Sequence, residues 1–175
     1  MDVVTWASRG CLLVVFALSV HGKVRGLRAF EEFAGSVRAL VPAFAGRARP
    51  LAALVAAAEA AVVVTLAVPG SVVAGLALCT ILLAAFTVLA VTAARAGSST
   101  PCRCFGQSST PLGTVHAVRN AALLTLAGAG LAATALSGPG HATSATVATA
   151  FLAGGVLGLL ATVLDDLVAL FRPLP

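Results

Sequence analysis

Tyrosine is absent from this chain, tryptophan occurs once, at Trp6, and charged residues fill only 10% of its 175 positions. A soluble domain is about 25% charged. A chain this poor in charge cannot cover its surface with polar groups, so lipid must cover much of it. The missing tyrosine and lone tryptophan leave a thin aromatic belt at the membrane interfaces. No basic run is interleaved with aromatics, which excludes a nucleic-acid partner; the net charge of +5 carries topology information instead. The apolar runs are long and do not alternate, which excludes a β-barrel. What is present is 59% hydrophobic residue at a mean hydropathy of +1.05, in a chain too short and too apolar to hold a separate soluble domain.

Each span needs about 20 mostly apolar residues. Five candidates appear, at approximately 3–20, 51–68, 72–94, 115–136 and 145–164. Within the first, Cys11 to Val20 resembles the apolar core of a signal peptide with Arg9 before it. No small-x-small cleavage site follows, and His21, Lys23 and Arg25 come next, so an uncleaved span is expected. Pro69-Gly70 ends the second span, Ser137-Gly138-Pro139-Gly140 turns between the fourth and fifth, and Asp165 and Asp166 are expected to stop the fifth. Only internally hydrogen-bonded helices satisfy such segments in lipid. The fold class is therefore all-α: a single membrane domain over 1–175, a polytopic helical bundle of about five transmembrane helices. Gly128, Gly130, Gly154, Gly155 and Gly158 are expected to let helices approach closely.

Two connections are substantial. Residues 21–50 form a basic loop in which Phe30, Phe33, Val37, Leu40 and Val41 recur at helical spacing, as in an amphipathic interfacial helix. Residues 95–114 form a Gly-, Ser-, Thr- and Pro-rich loop. With five spans, both loops and the C-terminus share a side. That side collects Lys23, Arg25, Arg28, Arg38, Arg47, Arg49, Arg95, Arg103 and Arg172. The positive-inside rule then places the 95–114 loop in the cytoplasm.

That loop carries "TPCRCFG", with Cys102 and Cys104 one residue apart. A disulfide between such near neighbours forces a tight turn, and a strained disulfide is labile, which suits exchange. Arg103 and Arg95 favour the thiolate, the attacking species, and Pro101 limits the local backbone. The same two sulfurs suit a soft metal such as Cu(I), or are simply free thiols in a loop. Zinc fits poorly, because a structural site wants four ligands and only His116 and His21 are at hand, so no metal is assigned. Cys11 and Cys79 lie at similar depth in spans one and three. They are either a second thiol pair or small buried apolar residues.

Glu59, His116, Arg119 and Asn120 place polar chemistry inside the apolar spans. Glu59, near the middle of span two, must be paired, protonated or facing a cavity; Lys23 and Arg119 both enter from its cysteine side. His116, Arg119 and Asn120 share one helical face at i, i+3, i+4 spacing, within a few residues of the cysteine loop. The bland reading is an ion pair that fixes helix register and a polar helix start. The functional one is a cluster that stabilises a thiolate or hydrogen-bonds a quinone.

Taken together, "FALSVHGKVRGLRAF", the charged "AAAEAA" of span two, "PCRCFG" and "TVHAVRNAALL" resemble the MauE family of methylamine-utilisation membrane proteins, relatives of the DoxX-like group, over about residues 10–136. Members more often have Gly where this chain has Arg103. The resemblance implies a redox-associated protein of the bacterial inner (cytoplasmic) membrane. It implies that Cys102 and Cys104 exchange with a thioredoxin-like partner during maturation of an exported disulfide-containing client, the methylamine dehydrogenase small subunit in the type family. Arg119 and Asn120 match the family's Arg-Asn pair. Two rivals stand beside this: a DoxX-like quinone-coupled oxidoreductase, with quinone as its cofactor, and a non-catalytic assembly factor or metal carrier. Disulfide formation belongs outside the cytoplasm, so the family role and the charge count pull Cys102 and Cys104 to opposite sides.

Overall fold

The computed structural model describes residues 3–97, 114–136 and 143–170, with side chains to residue 163. These residues form six helices and no strand: α1 (Val3–Val24), α2 (Leu27–Leu40), α3 (Ala48–Ala67), α4 (Val72–Arg95), α5 (Thr114–Leu136) and α6 (Ser144–Leu170). Short 3-10 turns at Pro42–Arg47 and Pro69–Ser71 lead into α3 and α4. Every helix except α2 is long and apolar enough to cross a membrane, so the chain is an all-α, multi-pass membrane protein.

α1 is the hub and packs against each of the other five helices. Its buried face reads Thr5, Ser8, Arg9, Leu12, Val15, Phe16, Ser19 and Lys23, a stripe at three- and four-residue spacing. Apolar members of that stripe meet Val62 and Leu66 of α3, Leu76 and Leu83 of α4, and Leu123 of α5 in one core. α2 is the amphipathic element. Its Phe33 and Ala34 pack on Ala52 of α3, while Arg28 stands exposed and pairs with Glu32 one turn on.

Two helix ends lie beyond their expected positions. α1 continues to Val24, so Lys23 belongs to its last turn and not to the following loop. α6 runs on to Leu170; Asp165 and Asp166 end the apolar stretch but not the helix, because helical hydrogen bonding does not depend on apolar side chains.

The glycines divide by helical face. A Cβ at Gly154 would stand 2.0 Å from the Ala7 carbonyl oxygen, and one at Gly158 2.6 Å from that of Cys11. α6 therefore lies on α1 backbone to backbone. Gly130 brings α5 onto Ser8, whose Cβ is 2.8 Å from the position a methyl would take. Gly128 and Gly155 do not serve as expected: the first faces open space, and the second has only an ordinary contact at 3.6 Å. Two residues along a helix are about 200° apart, so Gly128 cannot share the face of Gly130.

Arg9 closes the bundle at the end away from the cysteine loop. Its Nε donates to the Leu66 carbonyl at 2.5 Å and its Nη2 to the Ala67 carbonyl at 2.8 Å, with the guanidinium 4.8 Å from the Trp6 ring centre. It thereby satisfies two of the carbonyls that α3 leaves open at its C-terminus and opposes the negative end of the helix dipole.

Candidate functional site: a buried polar cluster at one end of the bundle

Lys23 does not reach outward to water, as a lysine at a span end ordinarily does. It is 1% exposed and folds back along α1. Its Nζ donates to Ser19 Oγ at 2.6 Å and to both Glu59 oxygens, at 2.8 and 2.7 Å. Ser19 Oγ donates in turn to Glu59 Oε1 at 3.2 Å. Glu59 is also 1% exposed. Phe33 of α2 lies over the ammonium with its ring centre 4.9 Å away, so α2 roofs the ion pair. Between the two cations that could have met Glu59, the structure selects Lys23.

α5 supplies the other wall. Its inward face carries His116, Arg119, Asn120, Leu123, Ala127 and Gly130, and the three polar residues are 3–5% exposed. Register brings them level with the ion pair. Ser8 Oγ of α1 donates to the Leu126 carbonyl at 3.2 Å, and Gly130 abuts Ser8. α1 and α5 run antiparallel, so Ser19, roughly 16 Å further along α1 at 1.5 Å per residue, stands opposite the turns of α5 that hold His116, Arg119 and Asn120. Asn120 Oδ1 is buried with no hydrogen-bond partner among the described residues. The buried charged side chains among the described residues at this end are Lys23, Glu59 and Arg119.

Cys102 and Cys104 lie outside the described residues. The stretch that carries them leaves the described structure after Gly97, just past α4, and rejoins it at Thr114, two residues before His116. Cys11 and Cys79 are free thiols, 2% and 0% exposed, in the apolar core of α1, α3, α4 and α5, apart from the polar cluster. Among the described residues no group of three or more His, Cys, Asp and Glu side chains could hold a metal ion. An open groove of about 370 Å³ runs beside the cluster, lined by Thr114, Val115, Val118, Arg119, Ala122 and Leu123 of α5 and Ala161 of α6.

Residues 1–134 match the family described as methylamine utilisation protein MauE. The chain belongs to the MauE family. No curated protein and no solved structure matches it. The MauE match spans α1 to α5 nearly to its end and stops short of α6, the helix held to α1 through Gly154 and Gly158. It includes every member of the buried cluster and both Cys102 and Cys104.

Sequence reasoning missed two features. Arg9 read as a charge inside span one, and the signal available was its spacing from Thr5 and Ser8 on one face, which marks it as inward. Ser19 went unmarked although it sits four residues before Lys23, the distance at which helical side chains meet.

Proposed function

We propose that this MauE-family protein uses Cys102 and Cys104 as a dithiol–disulfide pair that exchanges with a thioredoxin-like protein and so supports maturation of an exported, disulfide-containing client. The observation that carries the reading is the cluster of Lys23, Glu59, His116, Arg119 and Asn120 at the end of the bundle where the cysteine-bearing stretch is tethered. Exchange needs a thiolate, which attacks one sulfur of the partner's disulfide to give a mixed disulfide. The second thiolate then resolves it, leaving Cys102–Cys104 oxidised and the partner reduced. A neighbouring cation favours the thiolate over the thiol, and Arg103 is the residue between the two cysteines in the sequence. In this scheme Lys23 and Glu59 are positioning residues that hold α1 and α3 in register beneath the site.

The test is thiol labelling in a Cys11→Ala, Cys79→Ala background, with a membrane-impermeant maleimide applied to intact and to opened cells, before and after reductant. A pair in exchange is labelled more strongly after reduction, and the cell preparation in which labelling occurs identifies its side. A Cys102→Ser, Cys104→Ser variant should leave the client immature. Normal client maturation in that variant ends the mechanism.

A further inference from the structure

The segment that runs from α1 through α2 into α3 holds the densest charge among the described residues. Arg25, Arg28, Arg38, Arg47 and Arg49 are all exposed there, against two glutamates. Both glutamates are matched: Glu32 by Arg28 at 3.2 Å, and Glu31 by Arg49. Arg25, Arg38 and Arg47 have no carboxylate partner among the described residues. Glu31 and Arg38 are seven residues apart, two turns along one face of α2. The contact of Arg49 with Glu31 shows that the chain doubles back along α2 after Val41, which brings Arg47 to the flank that carries Arg38.

α2 does not spend its apolar face on lipid. Phe33 and Ala34 are buried on Ala52 of α3, and Leu40 packs with Ala90 and Ala93 of α4. Ala52 is the fifth residue of α3 and Ala90 the sixth from the end of α4. α2 therefore lies about 6–8 Å inside the helix ends, a depth at which interfacial helices settle. Large apolar side chains stand exposed among the arginines: Leu27 is 86% exposed and Phe44 54%.

We propose that α2 and the Pro42–Arg47 turn form a binding surface for anionic phospholipid headgroups, in which Arg25, Arg38 and Arg47 take the phosphates and Leu27 and Phe44 enter the acyl boundary beside them. A guanidinium forks onto a phosphate, and its apolar stem lies comfortably along lipid. An acidic polypeptide would answer the arginines but leave Leu27 and Phe44 in water; an anionic lipid answers both. Held by headgroups on its outer side and by α3 on its inner side, α2 keeps Phe33 over the Lys23 ammonium.

The experiment uses the full chain in nanodiscs of phosphatidylcholine mixed with phosphatidylglycerol. One lipid or the other carries a photoreactive group at its headgroup, and adducts are mapped by peptide after photolysis. Phosphatidylglycerol adducts should concentrate in peptides covering residues 25–49, exceed those of phosphatidylcholine and fall as salt rises. Arg25→Gln, Arg38→Gln and Arg47→Gln should each cut them about fivefold, while Arg→Lys at the same positions keeps the charge and most of the labelling. Leu27→Ser with Phe44→Ser should weaken labelling without changing its salt dependence. Equal labelling by the two lipids, adducts centred elsewhere, or parental labelling in the variant carrying all three Arg→Gln changes overturns the proposal. Should that variant lose helicity by circular dichroism, the salt dependence of the parent decides, and labelling indifferent to salt overturns it. Polyglutamate that binds phosphatidylcholine nanodiscs through these arginines, with no preference for phosphatidylglycerol over phosphatidylcholine, assigns the surface to an acidic protein and overturns the lipid.

Discussion

Removing one partner of the Lys23–Glu59 pair should destabilise the protein far more than removing both. The pair is 1% exposed on each side and joined at 2.7 Å, with Ser19 bonded to both. Glu59→Gln takes from the buried ammonium the carboxylate it is paired with, and Lys23→Met takes from the buried carboxylate its ammonium. Breaking a buried pair from one side costs about 3–5 kcal/mol, whereas replacing both charges by apolar groups of similar volume is often neutral or better. For a chain of this length 1 kcal/mol moves Tm by about 2–4 °C, so each single variant should melt about 6–20 °C early and the Lys23→Met, Glu59→Met double variant near the parent. Ser19→Ala should cost about 1–3 kcal/mol, the usual penalty for removing one partner of a buried hydrogen bond. The assay is thermal melting of the helical circular dichroism signal in lipid nanodiscs, closed as a double-mutant cycle. A silent Glu59→Gln, or a double variant that loses the sum of the two singles, refutes the reasoning, because the two charges would then act independently.

Gly154→Leu and Gly158→Leu should detach α6 from α1, since each side chain would start within 2.6 Å of a backbone carbonyl oxygen that cannot swing aside; protease cleavage of α6 in nanodiscs should rise in both, and Gly128→Leu, facing open space, should match the parent. Arg9→Leu leaves the Leu66 and Ala67 carbonyls without their donor and should cost about 2–4 kcal/mol. Arg9→Lys should recover only part of that, because one ammonium cannot reproduce the forked guanidinium; melting measured as for the ion pair checks both.

The spans were legible because hydropathy and length decide what lipid will hold, and no packing detail enters that decision. α2 was legible for a similar local reason: Phe30, Phe33 and Val37 repeat at helical spacing, and Phe33 with its neighbour Ala34 is the part buried on α3. Glu59 stood out because a carboxylate in a span must be answered by something. What answers it was not legible. Lys23 and Arg119 both approached from the correct side, and choosing between them requires knowing which face α1 and α5 turn toward α3. Gly130, Gly154 and Gly158 met their expectation and Gly128 and Gly155 did not, since composition counts small residues while only helix azimuth tells Gly128 from Gly130.

The sequence by itself determined that the chain is a multi-pass helical membrane protein, that it carries MauE-family motifs, and that Cys102 and Cys104 sit between two spans beside a polar helix start. These follow from properties of single segments: transfer free energy, periodicity and motif spacing. The tertiary structure alone decided that Lys23 turns inward to Glu59 beneath Phe33, that Arg9 closes the far end on α3, that His116, Arg119 and Asn120 stand level with Ser19, and that α6 rides on α1 with a groove left beside α5. Each depends on the relative rotation and register of helices far apart in the chain. Side-chain packing sets those two quantities across the bundle, and no single segment contains them.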